Sequence, residues 1–169
     1  MDIASMETKI ARRIKKIDDA YYAGDSMSLC ILKGGFMFFG SMMKELGDEF
    51  KTYIEFMQVN SYIGQEKSES LVIKNMFDNI PPGINRIYIY DDILDSGETA
   101  EAIGKLFGDD YDLYFVALCE KDGIDRANLD EYYDDLITGF KIDEGSWLYG
   151  YGMDDDGGFY RNLNSIKIK

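Results

Sequence analysis

Three aspartates, Asp91, Asp92 and Asp95, stand beside Ser96, Gly97, Glu98 and Thr99 in one short stretch, Ile-Tyr-Ile-Tyr-Asp-Asp-Ile-Leu-Asp-Ser-Gly-Glu-Thr, at positions 87–99. Two adjacent acids suit the vicinal hydroxyls of a ribose or a hydrated magnesium ion. Gly97 lets the backbone come close to a ligand, while Ser96 and Thr99 supply hydroxyl donors. A helix opening near Glu98 would offer free amides to an anion, and a monophosphate fits such a nest. Together these residue types allow the capture of a phosphorylated sugar. The plainer alternative is a turn in which Ser96 caps a helix and the aspartates are solvated.

Such a loop needs a frame. Residues 87–90 are β-branched and aromatic, which suits a strand buried on both faces of a parallel sheet. The acids then fall at the carboxyl end of that strand, where open α/β sheets place ligands. Upstream, Ile3, Met6, Ile10, Ile14 and Ile17 recur at helical spacing, predicting an amphipathic helix over 3–22 with a basic outer face. A buried strand over 28–32, a tight turn at Lys33-Gly34-Gly35 and a Met- and Phe-rich helix over 36–46 follow. Residues 52–60 alternate like a strand and 69–74 read as another, with a polar, mobile loop at 64–68 between them. A helix over 98–107 and a buried strand over 113–119 come after the acidic stretch. Strands alternating with helices predict a mainly parallel, right-handed α/β sheet flanked by helices. From Leu136 onward, glycines and aromatics suggest short strands near 140–142, 147–152 and 166–168, forming a small hood over the carboxyl edge of the sheet.

Composition narrows the chemistry. The chain has 169 residues, no internal repeat and no low-complexity linker, so one domain over 1–169 is expected, with the hood contributed mainly by about 136–169. Eighteen basic against 32 acidic residues leave a net charge of −14, which opposes general nucleic-acid binding. Phosphate binding must then be local, through amides, a divalent cation and a few placed cations such as Lys33, Lys121 and Arg161. Histidine is absent, which excludes Ser-His-Asp and Cys-His triads and leaves acid–base work to carboxylates, lysines or tyrosines. Cys30 and Cys119 sit in apolar runs and read as buried, reduced core residues. No apolar stretch approaches the roughly 18 residues of a membrane span, and the amino terminus does not look like a signal peptide, so a cytoplasmic setting is expected.

The 87–99 stretch resembles the phosphoribosyl-pyrophosphate motif of the type I phosphoribosyltransferases: a hydrophobic strand, two acids, two apolar residues, then acid-Ser/Thr-Gly-x-Thr. Cys-Ile-Leu-Lys-Gly-Gly-Phe-Met-Phe-Phe at 30–39 resembles the pyrophosphate loop of the hypoxanthine-guanine members, whose Leu-Lys peptide exposes amides to the leaving group. On residue types alone, Gly-Gly there equally makes a simple strand-to-helix turn. Ser61-Tyr62 resembles the opening of the family's flexible catalytic loop, which excludes water from the reacting centre. Lys121 resembles the lysine that hydrogen-bonds the exocyclic oxygen of a 6-oxopurine. The stretch 139–154 resembles the purine-binding segment aromatic-x-x-Gly-Tyr-x-x-Asp, with Trp147 in the ring-stacking position and the backbone of Leu148 at the purine edge. Asp154, otherwise the start of a solvated acidic turn, takes the place of the acid that holds pyrophosphate-bound magnesium. Arg161 matches the pyrophosphate-binding arginine of aromatic-Arg-x-Leu, one residue further along than usual. Asp91 stands where the family often has Glu, and Asp122 follows Lys121 where a basic or proline-containing sequence is usual.

The resemblance, which runs from about Ser28 to the end, implies the type I phosphoribosyltransferase fold and a Mg2+-dependent transfer of phosphoribosyl from phosphoribosyl pyrophosphate to hypoxanthine or guanine. Asp91, Asp92 and the 95–99 loop would hold the ribose phosphate, Lys33, Gly34 and Arg161 the pyrophosphate, and Lys121, Trp147 and Leu148 the purine. Asp95 would exchange the proton at purine N7. Relatives pair as dimers or tetramers, so a homo-oligomer is expected, with no nucleic-acid or membrane partner. Two alternatives remain open on these residues: a sister enzyme for xanthine or a pyrimidine, and a regulator that senses the sugar phosphate without catalysis.

Overall fold

The apolar runs do assemble into one sheet, and the alternation of side chains along them decides which helix covers which face. A computed structural model describes residues 2–21, 23–63, 66–75, 79–155 and 157–169, with backbone alone along 60–63, 66–72 and 74–75. In chain order the elements are α1 (Ile3–Asp18), β1 (Ser26–Leu32), α2 (Phe36–Leu46), β2 (Thr52–Ile63), β3 (Glu66–Asn75), β4 (Arg86–Leu94), α3 (Glu98–Phe107), β5 (Asp112–Lys121), α4 (Arg126–Leu129), β6 (Asp135–Ile142), β7 (Leu148–Tyr149) and β8 (Lys167–Ile168). The main sheet has the order β3-β2-β1-β4-β5-β6. Neighbours from β2 to β6 pair in parallel, and β3 pairs antiparallel with β2 at the edge.

Along β1, β4 and β5, alternate residues point to opposite faces. Cys30, Tyr88, Tyr90, Val116 and Leu118 pack with Ile10 and Ile14 of α1 and Phe38 and Met42 of α2. Leu29, Ile31, Ile87, Ile89, Phe115 and Ala117 pack with Ala100, Ile103 and Phe107 of α3 and Leu129 of α4. Such continuous burial on both faces is what near-unbroken hydrophobic strands require. The strand order reverses at β1, between β2 on one side and β4 on the other. A crevice opens outside the carboxyl ends of strands at such a switch point. Lys33-Gly34-Gly35 follows β1 there, and Asp91 and Asp92 lie near the end of β4.

Several boundaries differ from the sequence expectation. The first helix stops at Asp18 rather than at 22, because Tyr21 leaves the helical path to lay its ring 3.9 Å from the Arg86 guanidinium carbon. The strand of 87–90 continues through both acids to Leu94, since its ladder with β5 persists, with Asp91 opposite Ala117 and Leu94 opposite Glu120. Lys121 ends β5 rather than following it. Most of the polar loop expected at 64–68 is strand: β2 runs to Ile63 and β3 starts at Glu66, so Ser61 and Tyr62 carry strand backbone in a long hairpin, while Gly64 and Gln65 lie outside the described residues. The hood expected from 136 begins later, because 135–142 is the sixth strand of the main sheet, paired with β5. The small antiparallel pair β7–β8 forms the hood, with Leu148 opposite Ile168, packed through Leu148 and Met153 on Cys119 and Ile142. Among the described residues no helix is long and apolar enough to cross a membrane.

Candidate functional site

Local chain geometry brings three loops to the crevice. The Leu32-Lys33 peptide bond is cis, and the turn closes through Gly35 N–H donating to Ile31 O at 3.1 Å. Gly34 has no room for a side chain, since a Cβ there would collide with the Asp92 carboxylate. Gly97 adopts φ 86°, a left-handed conformation that favours glycine, and turns the chain from β4 into α3. No side chain caps that helix from Gly97; the Ser96 hydroxyl accepts from Glu98 N at 3.4 Å, and the amides of Thr99 and Ala100 stay available to an anion. In the hood, Gly152 at φ 101° presses on the Gly34 carbonyl, where a Cβ would also collide. Its own carbonyl accepts from Arg161 Nη1 at 2.7 Å, and Arg161 Nη2 pairs with Asp154 Oδ1 at 2.6 Å.

These elements enclose an open cavity of about 610 Å3. Lys33, Gly34, Asp91, Asp92, Asp95, Thr99, Lys121, Trp147, Leu148, Asp154 and Arg161 all line it. A smaller recess of about 50 Å3 adjoins it, walled by Asp95, Ser96, Gly97 and Thr99 together with Asp91 and Ile93. Glu98 is exposed and lines neither space, so its carboxylate does not face the cavity, and its amide donates to Ser96 Oγ within the loop. Whether the side chains of Ser61 and Tyr62 reach the cavity lies outside the described residues. Sequence reasoning missed Gln58, Val59, Ile93, Ser146 and Met153, which also line the main cavity. Ile93 and Met153 lie beside residues already singled out, whereas nothing local marks Gln58 or Val59, which arrive from β2 only through sheet pairing.

Several charged side chains of the cavity lie against one another. Asp91 and Asp92 are 9% and 7% exposed. Asp91 Oδ1 accepts from Asp92 N at 2.9 Å, and Asp92 Oδ1 accepts from Ile93 N at 2.9 Å. Burial pushes both carboxyls above the usual aspartate range, and for Asp91 the neighbouring Asp92 charge adds to the rise. A bound cation or hydroxyl donors would supply the stabilisation that water no longer gives. Across the cavity, Lys121 Nζ pairs with Asp95 Oδ1 at 2.6 Å; the lysine side chain is 15% exposed and the aspartate 59%. Trp147 is about half exposed, leaving ring surface free to cover a flat ligand.

The donor set fits magnesium in its usual mode. Magnesium keeps several waters and takes one or two carboxylates plus substrate oxygens rather than a full protein cage. Asp154, Asp91 and Asp92 offer oxygen ligands on one cavity, and among the described residues no three acidic or thiol groups converge into a closed site.

Known proteins share this sequence pattern and this fold. The family described as the phosphoribosyl transferase domain matches residues 2–144. A hypoxanthine-guanine phosphoribosyltransferase of Staphylococcus aureus is 32% identical over 140 residues, covering 80% of this chain and 73% of that protein. One from Aquifex aeolicus is 30% identical over 166 residues, covering 95% and 89%. Among solved structures, a Staphylococcus aureus hypoxanthine phosphoribosyltransferase superposes with TM-score 0.74 at 27% identity, covering 97% of this chain and 86% of that one. A Trypanosoma cruzi hypoxanthine phosphoribosyltransferase complexed with IMP gives TM-score 0.77 at 22% identity, covering 99% and 85%, a likeness of fold. The strand order, the crevice at the switch point and these sequence matches converge: the chain belongs to the phosphoribosyltransferase family, and its kinship there is with hypoxanthine-guanine members.

Proposed function

We infer that this chain, as one domain over 1–169, transfers the 5-phosphoribosyl group from phosphoribosyl pyrophosphate to hypoxanthine or guanine, releasing pyrophosphate. The observation that carries the choice of base is the Lys121–Asp95 pair in the same cavity as Trp147. A 6-oxopurine presents O6 and N7 side by side on one edge. An ammonium donor and a carboxyl held 2.6 Å apart match that edge, with Lys121 donating to O6 and Asp95 facing N7.

Each remaining residue acts on charge or position. The amides and hydroxyls of 95–99 hold the 5-phosphate in the small recess, and Asp91 and Asp92 take the ribose hydroxyls. Lys33, the Gly34 backbone and Arg161 face the departing pyrophosphate, with Leu148 at the purine edge. When the purine N9–C1′ bond forms and the C1′–O bond to pyrophosphate breaks, Asp95 accepts the proton from N7. Magnesium, held by Asp154 and the substrate oxygens, would neutralise pyrophosphate charge. Ser61 and Tyr62, at the far end of β2, belong to the segment that would cover the reacting centre. The free, buried thiols of Cys30 and Cys119 support a cytoplasmic setting, and a homo-oligomer is part of the same reading, measurable by light scattering.

The test is to incubate the protein with phosphoribosyl pyrophosphate and Mg2+, add each free base in turn, and follow pyrophosphate release. Release with hypoxanthine or guanine is expected. Release only with xanthine or a pyrimidine would move the assignment to a sister enzyme, and tight binding without release would make the chain a sensor. Asp95→Asn should lower turnover by about 10²- to 10⁴-fold while sparing sugar-phosphate binding; equal loss of both would contradict the acid–base role.

A further inference from the structure

The first helix lies outside every motif so far, yet it reaches the hood. Glu7 of α1 is 7% exposed although charged, and it is sandwiched between two hydroxyls from distant elements. Ser41 of α2 donates to Glu7 Oε2 at 2.8 Å, and the Tyr151 phenol of the hood donates to Glu7 Oε1. The Tyr151 ring packs against the cluster formed by α1, α2 and the sheet. A carboxylate taken this far out of water demands such partners, and each bond to it is stronger than a bond between neutral groups.

Tyr151 occupies an unusual backbone position. Its φ is 53°, between Gly150 at 90° and Gly152 at 101°, so three consecutive residues are left-handed and the middle one carries a large side chain. That conformation is disfavoured for a tyrosine, so outside contacts must maintain it. Backbone bonds from Tyr151 N to Leu163 O at 3.0 Å and from Gly152 N to Arg161 O at 2.8 Å hold one side. The phenol on Glu7 holds the other. One residue on, Gly152 abuts Gly34 and its carbonyl receives Arg161, which pairs with Asp154.

We propose that Glu7, supported by Ser41, is a positioning residue for pyrophosphate recognition: through the Tyr151 phenol it holds the 150–154 segment, and with it the Arg161–Asp154 pair, against the Lys33-Gly34 loop. This rests on the phosphoribosyltransferase reading of the cavity. The purine end of the hood has a separate fastening, since Lys169 N donates to Trp147 O at 2.9 Å and β8 pairs with β7. Loosening Glu7 should therefore affect one substrate and spare the other.

Glu7→Ala and Tyr151→Phe are compared with the parent protein for KM of each substrate, for pyrophosphate affinity by calorimetry with Mg2+, and for amide hydrogen exchange. Each variant should raise the KM for phosphoribosyl pyrophosphate and the Kd for pyrophosphate by about three- to tenfold, with the KM of the base unchanged. Exchange should quicken at 150–154 and not in β7. Glu7→Gln, whose amide oxygen still accepts from the phenol, should recover most of the loss, and the double variant Glu7→Ala/Tyr151→Phe should be no worse than the poorer single one. A parallel rise in both KM values, faster exchange along the whole chain, or no rescue by Glu7→Gln would overturn the assignment. A parent protein that releases no pyrophosphate with any base would sink the enzymatic reading instead, while the exchange and calorimetric comparisons would still decide whether Glu7 holds the segment.

Discussion

Arg86 opens the strand that carries Asp91 and Asp92, and replacing it should destabilise the protein in a pH-dependent way. Its side chain has no exposure, and Nη2 pairs with Asp18 at 2.9 Å and Asp25 at 2.5 Å. Removing one partner of a buried ion pair typically costs about 3–5 kcal/mol, because the other charges are left uncompensated. Two features argue for the lower end. Asp18 and Asp25 side chains keep 19% and 13% exposure, and Arg86 Nε and Nη1 have no hydrogen-bond partner among the described residues. Arg86→Met, which retains the apolar stem under Tyr21, should then cost about 3 kcal/mol. For a chain of this length that lowers Tm by about 6–12 °C.

The pH dependence has a definite sign. Burial raises the Asp18 pKa above the ordinary aspartate value despite the opposing attraction of Arg86. Without Arg86 it rises further. A carboxyl whose folded pKa lies above its unfolded value contributes stability that is fully present below the unfolded pKa and lost as pH rises through the folded one. The deficit of Arg86→Met should therefore be largest at neutral pH and shrink as pH falls toward the aspartate range. Urea melts of both proteins, followed by circular dichroism at a series of pH values, measure it. A neutral-pH deficit below about 1 kcal/mol, the scale of a surface pair, or a deficit that grows on acidification, would refute the reasoning.

Gly34→Ala places a methyl group on the Asp92 carboxylate, which must swing away from the ribose side; kcat/KM should fall about 100-fold, and near-parental kinetics would show that the Asp92 position is unimportant. Trp147→Ala removes the ring expected to stack on the base, raising the KM of hypoxanthine by about 5- to 100-fold at constant KM for phosphoribosyl pyrophosphate; an unchanged base KM would place the purine elsewhere. Chelation of Mg2+ should abolish turnover yet leave the Tm of the ligand-free protein in place, because the described donors form no closed metal cage; a fall in Tm would reveal a structural ion instead.

The extents of α2 and α3 are legible in the amino-acid sequence, since residues 36–46 and 98–107 carry an uninterrupted helical period between glycines. So are the residue types of the crevice, because a strand, a pair of acids and a Gly-rich turn are local signals. Asp91 and Asp92 read as a loop because charge after an apolar run imitates a strand end; only the ladder to β5 keeps them in the strand. The stretch 136–142 reads as hood because Gly139 and Phe140 look irregular, whereas pairing with β5 makes it the sheet edge.

What the chain carried by itself was the inventory of groups and the turns that expose them, because helical period, strand period and glycine geometry depend on near neighbours. Tertiary structure alone decided the partnerships: Lys121 with Asp95, Arg161 with Asp154, and Glu7 with Tyr151 across 144 positions of sequence. Hydrogen bonds and ion pairs act over a few ångströms, so they become defined only once the sheet order has brought distant segments together.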